Sequence, residues 1–353
     1  MSTAAQLTAS KRAVPGTPFF RRSLLLFYAG LTGALLIVLL VSLNLGQFPV
    51  SPGELWESVR CRLTGAEPAD ANVETVLWTI RIPRLLVAVL VGASLSCAGA
   101  TYQGMFRNPL VSPDILGVSA GAGLGASIAF FYDLPMFYVQ AFAFIGGLGA
   151  VSIVAMLGTR ARRHDPVLVL VLAGIAVGSL LSAGISLIKI LADPFTQLPS
   201  ITFWFLGSLT AVDWDALALI ATMLLVGLTP LFLLRWRLNL LTLEDDEART
   251  LGVPIRLTRA VLIVLTTLCT AAVVSMTGII GWVGLLVPHM ARMLVGANFV
   301  VLLPTSFFLG GTFLLAADTM ARTIAPIELP LGIITATFGA PFFLYLLLRR
   351  SET

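Results

Sequence analysis

Ten apolar runs of about 20 residues follow one another along this chain, and that is the length an α-helix needs to cross the hydrocarbon core of a bilayer. They lie near residues 24–45, 84–104, 112–132, 136–158, 166–191, 212–234, 258–277, 279–296, 299–318 and 329–348. Of the 353 residues, 58% are hydrophobic and 11% charged, where a soluble domain carries roughly 25% charged residues. The expected fold class is an all-α integral membrane protein with about ten transmembrane helices.

An even number of spans puts both termini on one side. The first residues are polar and carry Lys11, Arg12, Arg21 and Arg22. The span after them is long for a signal-peptide core and lacks a small-residue cleavage site, so it reads as a retained signal anchor. With that end in the cytoplasm, 16 of the 22 basic residues fall inside, among them Arg107, Arg162, Arg163, Arg235 and Arg259. Arg60, Arg62, Arg81, Arg84, Lys189 and Arg322 fall outside. The excess of positive charge inside favours this orientation. It gives an N-terminal cytoplasmic tail at 1–23 and a single transmembrane domain at 24–350. Residues 46–80 form an outer segment and 235–259 an inner one. Between Asp193 and Asp213 the chain is too short to cross, which predicts a short outer helix or re-entrant piece beside the fifth span.

Arg81, Arg84 and Arg322 run against the charge trend. The first two sit astride Pro83, and proline is favoured at the first position of a helix. A helix is therefore expected to begin there, with both arginines at an end where the macrodipole is already positive. Something outside the helix is the reasonable explanation for them, and an acidic partner is the simplest. Arg322 lies near the outer C-terminus of the ninth span, which suits a cation.

Several kinds of chemistry are excluded. Cys61, Cys97 and Cys269 form no CxxC motif, and His164 and His289 are the only histidines, too few for a multi-histidine metal or haem site. Neither Lys11 nor Lys189 follows a glycine, so there is no Walker A loop and no ATP hydrolysis by that route. No nucleophile elbow appears, and no basic tract suited to nucleic acid. Asp114, Asp133, Asp193, Asp318 and Glu328 fall near span ends, whereas ion-coupled carriers bury ionisable groups in mid-membrane. Their position argues against an ion-coupled secondary transporter, which is kept as the rival reading. Nothing in the chain calls for a cofactor.

The third span is dense in small residues, for which close helix packing is the first explanation. Ser119, Gly121 and Gly123, with Phe195 and Thr196 ahead of the short outer piece, are candidate linings of a translocation path. Pro288 and Pro341 are expected to interrupt the eighth and tenth spans, as in the broken helices of transporters. On the inner side Glu244, Asp245, Asp246 and Glu247 precede Ala248, Arg249, Leu251 and Gly252. Acids at its start and glycine at its end predict a short helix, then a turn, then a second element before the seventh span. The sharper reading of that segment is a docking surface for a cytoplasmic partner.

Five motifs now stand in order: Ile80-Arg-Ile-Pro-Arg84, Arg107-Asn-Pro-Leu110 with Leu116-Gly-Val-Ser-Ala-Gly121, Ala248 to Gly252, Gly284-Leu-Leu-Val-Pro-His289 and Glu328-Leu-Pro-Leu-Gly332. Together they resemble the permease family of ABC importers for ferric siderophores, haem and cobalamin, over residues 24 to 350. The resemblance implies a ten-span permease of the cobalamin/siderophore type in the bacterial inner membrane. It implies a homodimer, or a heterodimer with a close homologue, above two copies of an ABC ATPase that carries the hydrolysis. A periplasmic binding protein would dock on Arg81, Arg84 and Arg322. Residues Glu244 to Gly252 would couple to the ATPase, and the short outer helix would take part in gating. An iron-siderophore chelate is the expected cargo, with haem and cobalamin as alternatives. Two departures from the family pattern are Glu244, where glycine is usual, and Ile279-Ile280-Gly281-Trp282, which lacks a proline.

Overall fold

The computed structural model describes residues 18–67, 70–160 and 166–350, and among them every regular element is a helix. Lys11, Arg12, Arg162, Arg163, His164 and most of the expected tail lie outside the described residues. The chain begins with α1 (Pro18–Asn44), α2 (Pro52–Thr64) and α3 (Ala71–Glu74). A π-helical turn (Thr75–Arg81) runs straight into α4 (Ile82–Met105). A 3₁₀ turn (Pro113–Leu116) leads into α5 (Val118–Phe131), followed by α6 (Met136–Arg160), α7 (Pro166–Leu191), α8 (Gln197–Leu206) and α9 (Trp214–Leu233). Then come α10 (Arg235–Leu241), α11 (Asp245–Thr250), α12 (Ile255–Thr277), α13 (Val283–Val295), α14 (Phe299–Thr323) and α15 (Leu331–Arg350).

Each of the ten expected spans is present as a helix: α1, α4, α5, α6, α7, α9, α12, α13, α14 and α15. Seven are long and apolar enough to cross a bilayer unaided, while α5, α13 and the apolar part of α15 are shorter. At 1.5 Å per residue α5 spans about 21 Å, against the ~30 Å of a hydrocarbon core. Its expected first turn, from residue 112, is replaced by the 3₁₀ turn. The expected first turn of α13 is likewise replaced by residues 278–282, where Gly278 and Trp282 both take φ of +71°. Irregular backbone at such depth is tolerated only when protein covers it, and Gly278 and Ile280 are buried.

Three sequence expectations need correction here. Pro288 and Pro341 do not break their helices, which continue through them; the break falls at 278–282 instead. The second helix does not begin at Pro83. Helical structure extends back to Ala71, and Ile82 N–H bonds to Leu77 O, a five-residue step. That wider turn directly precedes the proline ring, which an α-helical turn would crowd. Arg81 and Arg84 therefore do not stand at a free helix start. Finally, the second element of the inner segment precedes α11, as α10, and does not follow it; after one turn the chain enters α12 directly.

α4 is the hub, packed against α9, α12, α13 and α14, while α5, α6 and α7 form a second group that α12 joins to the first. Close approach rests on missing side chains. A Cβ on Gly99 of α4 would lie 1.8 Å from the carbonyl oxygen of Gly284 on α13. Lipid offers no hydrophobic drive between helices, so backbone-level packing of this kind is what holds them. The expected short outer helix is α8. It packs on α5, and Lys189 of α7 places its ammonium 4.6 Å from the Phe205 ring centre.

Candidate functional site

Two groups of charged residues mark the two ends of the bundle. At the α2 end, Arg81, Arg84 and Arg322 lie together. The expectation was that they face a partner, yet they are 4%, 6% and 8% exposed and bonded within the chain. This corrects their presentation: the π-helical turn and the neighbouring α14 direct the three guanidinium groups inward. Arg84 donates through Nε to Asp318 Oδ1 at 3.0 Å and through Nη2 to the same oxygen at 2.7 Å. Its outer edge grips Glu328 with two N–H groups, Nη1 lying 3.0 Å from Oε2. Arg322, four residues after Asp318, donates to its other oxygen at 3.0 Å. Arg81 donates to the carbonyls of Leu43 and Phe48.

The cluster has a cover and a weak point. Residues 43–48, the end of α1 and the segment after it, close over Arg81 and Arg322. Gly46 lies so near that a Cβ there would sit 2.6 Å from Arg81 Nη2. Three guanidinium groups face two carboxylates, and Arg322 Nη2 is buried without a hydrogen-bond partner. The acids also differ. Asp318, in the body of α14, is wholly enclosed, whereas the Glu328 side chain, on the link between α14 and α15, is 25% exposed. Glu328 also accepts from Thr210 Oγ1 at 3.3 Å, on the loop after α8. Burial alone would raise the Glu328 carboxyl, but Arg84 outweighs it and holds the group below the usual carboxylate range.

At the α11 end, the expected short helix is present. Asp245, its first residue, accepts from Arg259 of α12 at 2.9 and 2.8 Å and from Arg107 of the loop after α4. Burial raises the Asp245 carboxyl less than these two guanidinium groups lower it. Ala248 is buried, and Gly252 takes φ of +79°, the left-handed turn that ends the helix. Glu244, Asp246, Glu247, Arg249 and Leu251 are exposed, with an Asp246–Arg249 ion pair between them. A helix of this length does not hold itself in water; Asp245 and Ala248 fasten it.

The candidate path residues separate into three kinds. Gly121 and Gly123 are packed, since a Cβ on the first would meet Gly146 O at 2.3 Å and one on the second the Phe205 ring at 2.6 Å. Ser119 donates to Asp114, and both line an open groove of about 540 Å³ with Gly178 and the exposed Ser179 and Ser182 of α7. Phe195 and Thr196 lie exposed on the turn before α8, where Asp193 accepts from Thr196 N–H at 2.7 Å.

Sequence reasoning did not pair Asp318 and Glu328 with the arginines, nor Arg107 and Arg259 with Asp245. One local signal was available: Asp318 and Arg322 are four apart on a helix, the spacing at which side chains meet.

Ten packed helices, seven of them long and apolar enough to cross a bilayer, define a multi-pass membrane protein. The chain belongs to the FecCD transport family, whose model matches residues 34–349. It is 37% identical over 314 residues to the molybdate import system permease protein MolB of Haemophilus influenzae, covering 89% of this chain and 93% of that one. It is 38% identical over 336 residues to the hemin transport system permease protein HmuU of Yersinia pestis, covering 91% and 96%. It is 41% identical over 318 residues to the cobalamin import system permease protein BtuC of Halobacterium salinarum, covering 88% and 84%. A solved structure described as an inward-facing conformation of a metal-chelate type ABC transporter superposes with a TM-score of 0.83 at 35% identity, over 93% of this chain and 99% of that one. The chain is a multi-pass transport permease of the FecCD type.

Proposed function

We propose that this permease carries an iron-siderophore chelate across the bacterial inner membrane, with both termini cytoplasmic. Two copies form the pathway above two ATPase subunits, which hydrolyse the ATP. A periplasmic binding protein delivers cargo at the α2 end, over the Arg81–Arg84–Arg322 cluster. Residues Glu244 to Gly252 at the α11 end couple to the ATPase. The cargo passes the exposed turn of Phe195 and Thr196 and then the Ser119 groove toward the other end of α5, with Gly121 and Gly123 setting the packing behind it. The transmembrane domain is 24–350, with 1–23 as a tail, 46–80 as the outer segment and 235–259 as the inner one.

The observation that carries this reading is α4. Arg84 lies in its first turn and Arg107 just past its last, so one buried helix of about 36 Å links the arginine cluster to the fastened inner helix. Such a strut suits a machine whose two ends must move together. Haem and cobalamin permeases among the relatives keep those cargoes as alternatives, and molybdate is a third.

The test is reconstitution of the permease with its ATPase and binding protein in proteoliposomes, scoring ATP-dependent uptake of radiolabelled ferric siderophore, haem, cobalamin and molybdate. Uptake of the siderophore alone is expected. Uptake of another cargo in its place overturns the substrate, and uptake without ATPase that collapses with the proton gradient overturns the class.

A further inference from the structure

The arginine cluster is at once the proposed docking site and already occupied by the chain's own acids. An unpaired guanidinium in this setting is costly, because a buried charge without a partner loses its hydration and gains nothing in return. An undocked permease therefore needs a carboxylate on Arg84. Asp318 is fixed within α14 and shared with Arg322, so it is not exchangeable. Glu328 is on a link between helices, partly open to solvent, and grips only the outer edge of Arg84. The cluster also retains one more guanidinium than carboxylates and an unpartnered, buried Arg322 Nη2.

We propose that Glu328 is a built-in stand-in for a carboxylate of the binding protein, and that docking exchanges one for the other on the outer edge of Arg84. Exchange of carboxylate for carboxylate leaves the buried guanidinium paired throughout. It also releases Glu328 from Thr210, so docking loosens the loop between α8 and α9. The inference rests on the docking reading above and adds to it a competitor within the permease. A residue that merely supports the fold would weaken docking when changed; a competitor strengthens it.

The experiment measures equilibrium docking of the loaded binding protein to the assembled permease–ATPase complex in nanodiscs at low salt. Glu328→Gln is expected to dock about tenfold more tightly, the effect of removing one competing charge-assisted hydrogen bond. Glu328→Asp, which keeps the charge but shortens its reach to Arg84, is expected to tighten docking as well and serves if the first variant does not fold. Arg84→Gln is expected to weaken docking. Docking weakened by Arg84→Gln but unchanged or weakened by both Glu328 variants overturns the stand-in alone. Docking indifferent to Arg84→Gln overturns the docking reading and the stand-in with it.

Discussion

Arg84 Nη2 lies 2.7 Å from Asp318 Oδ1, the acid wholly enclosed and the arginine side chain 8% exposed. Asp318 serves Arg322 as well, so it is the one acid on which two buried guanidinium groups depend. Removing a single partner from a buried ion pair costs about 3–5 kcal/mol. Asp318→Asn is expected to lose stability of that order, read as a lower thermal unfolding midpoint of the purified permease, whereas Glu328→Gln, at a partly exposed position, is expected to lose clearly less.

Arg81 ties the end of α1 to the segment after it through the carbonyls of Leu43 and Phe48. Arg81→Ala removes the donors to Leu43 and Phe48 and leaves Gly46 without the surface it packs on. Amide exchange at residues 45–50 is expected to rise, with exchange in α4 beyond its first turns unchanged.

Asp245 fastens α11 to both α12 and the loop after α4. In Asp245→Asn the two guanidinium groups lose their common acceptor. Uptake into proteoliposomes is expected to fall at least about tenfold, since each charge-assisted contact of this kind is worth about 1.5–3 kcal/mol, while the ATPase still co-purifies. Complete loss of ATPase binding would make the residue part of the docking surface itself.

Acid should weaken the same contacts. Glu328 and Asp245 both titrate below the usual carboxylate range in the folded chain. Depressed folded values mean the unfolded chain binds more protons as pH falls, so the stabilisation is full above the ordinary carboxylate pKa of about 4 and is lost below it. Thermal midpoints are expected to be level in this respect between pH 6 and 8 and to drop below about pH 4, with a smaller drop in Asp245→Asn.

Gly99 and Gly284 bring α4 and α13 to backbone contact. A methyl group at position 99 would lie 1.8 Å from a carbonyl oxygen that cannot move aside without moving α13. Gly99→Ala is expected to cost at least about 1–3 kcal/mol, the range for overpacking, seen as a lowered unfolding midpoint or as lost expression of folded permease.

Span number, helical class and family membership were legible in the amino-acid order alone, because the wish of an apolar run for lipid depends only on the run itself. The same holds for α11, whose acids and terminal glycine are adjacent in the chain. Where a feature depended on a neighbour far along the chain, local reasoning fell short. Asp318 and Glu328 lie 234 and 244 residues from Arg84, and only the packing of α4 against α14 brings them together. The arginines were read against the dipole of a helix start that the π-helical turn removes, and the breaks at Pro288 and Pro341 were read from residue type where Gly278 and Trp282 set the backbone instead. Hydropathy is a property of a segment and survives in sequence; the partner of a buried charge is a property of two helices in contact, and tertiary structure alone chooses it.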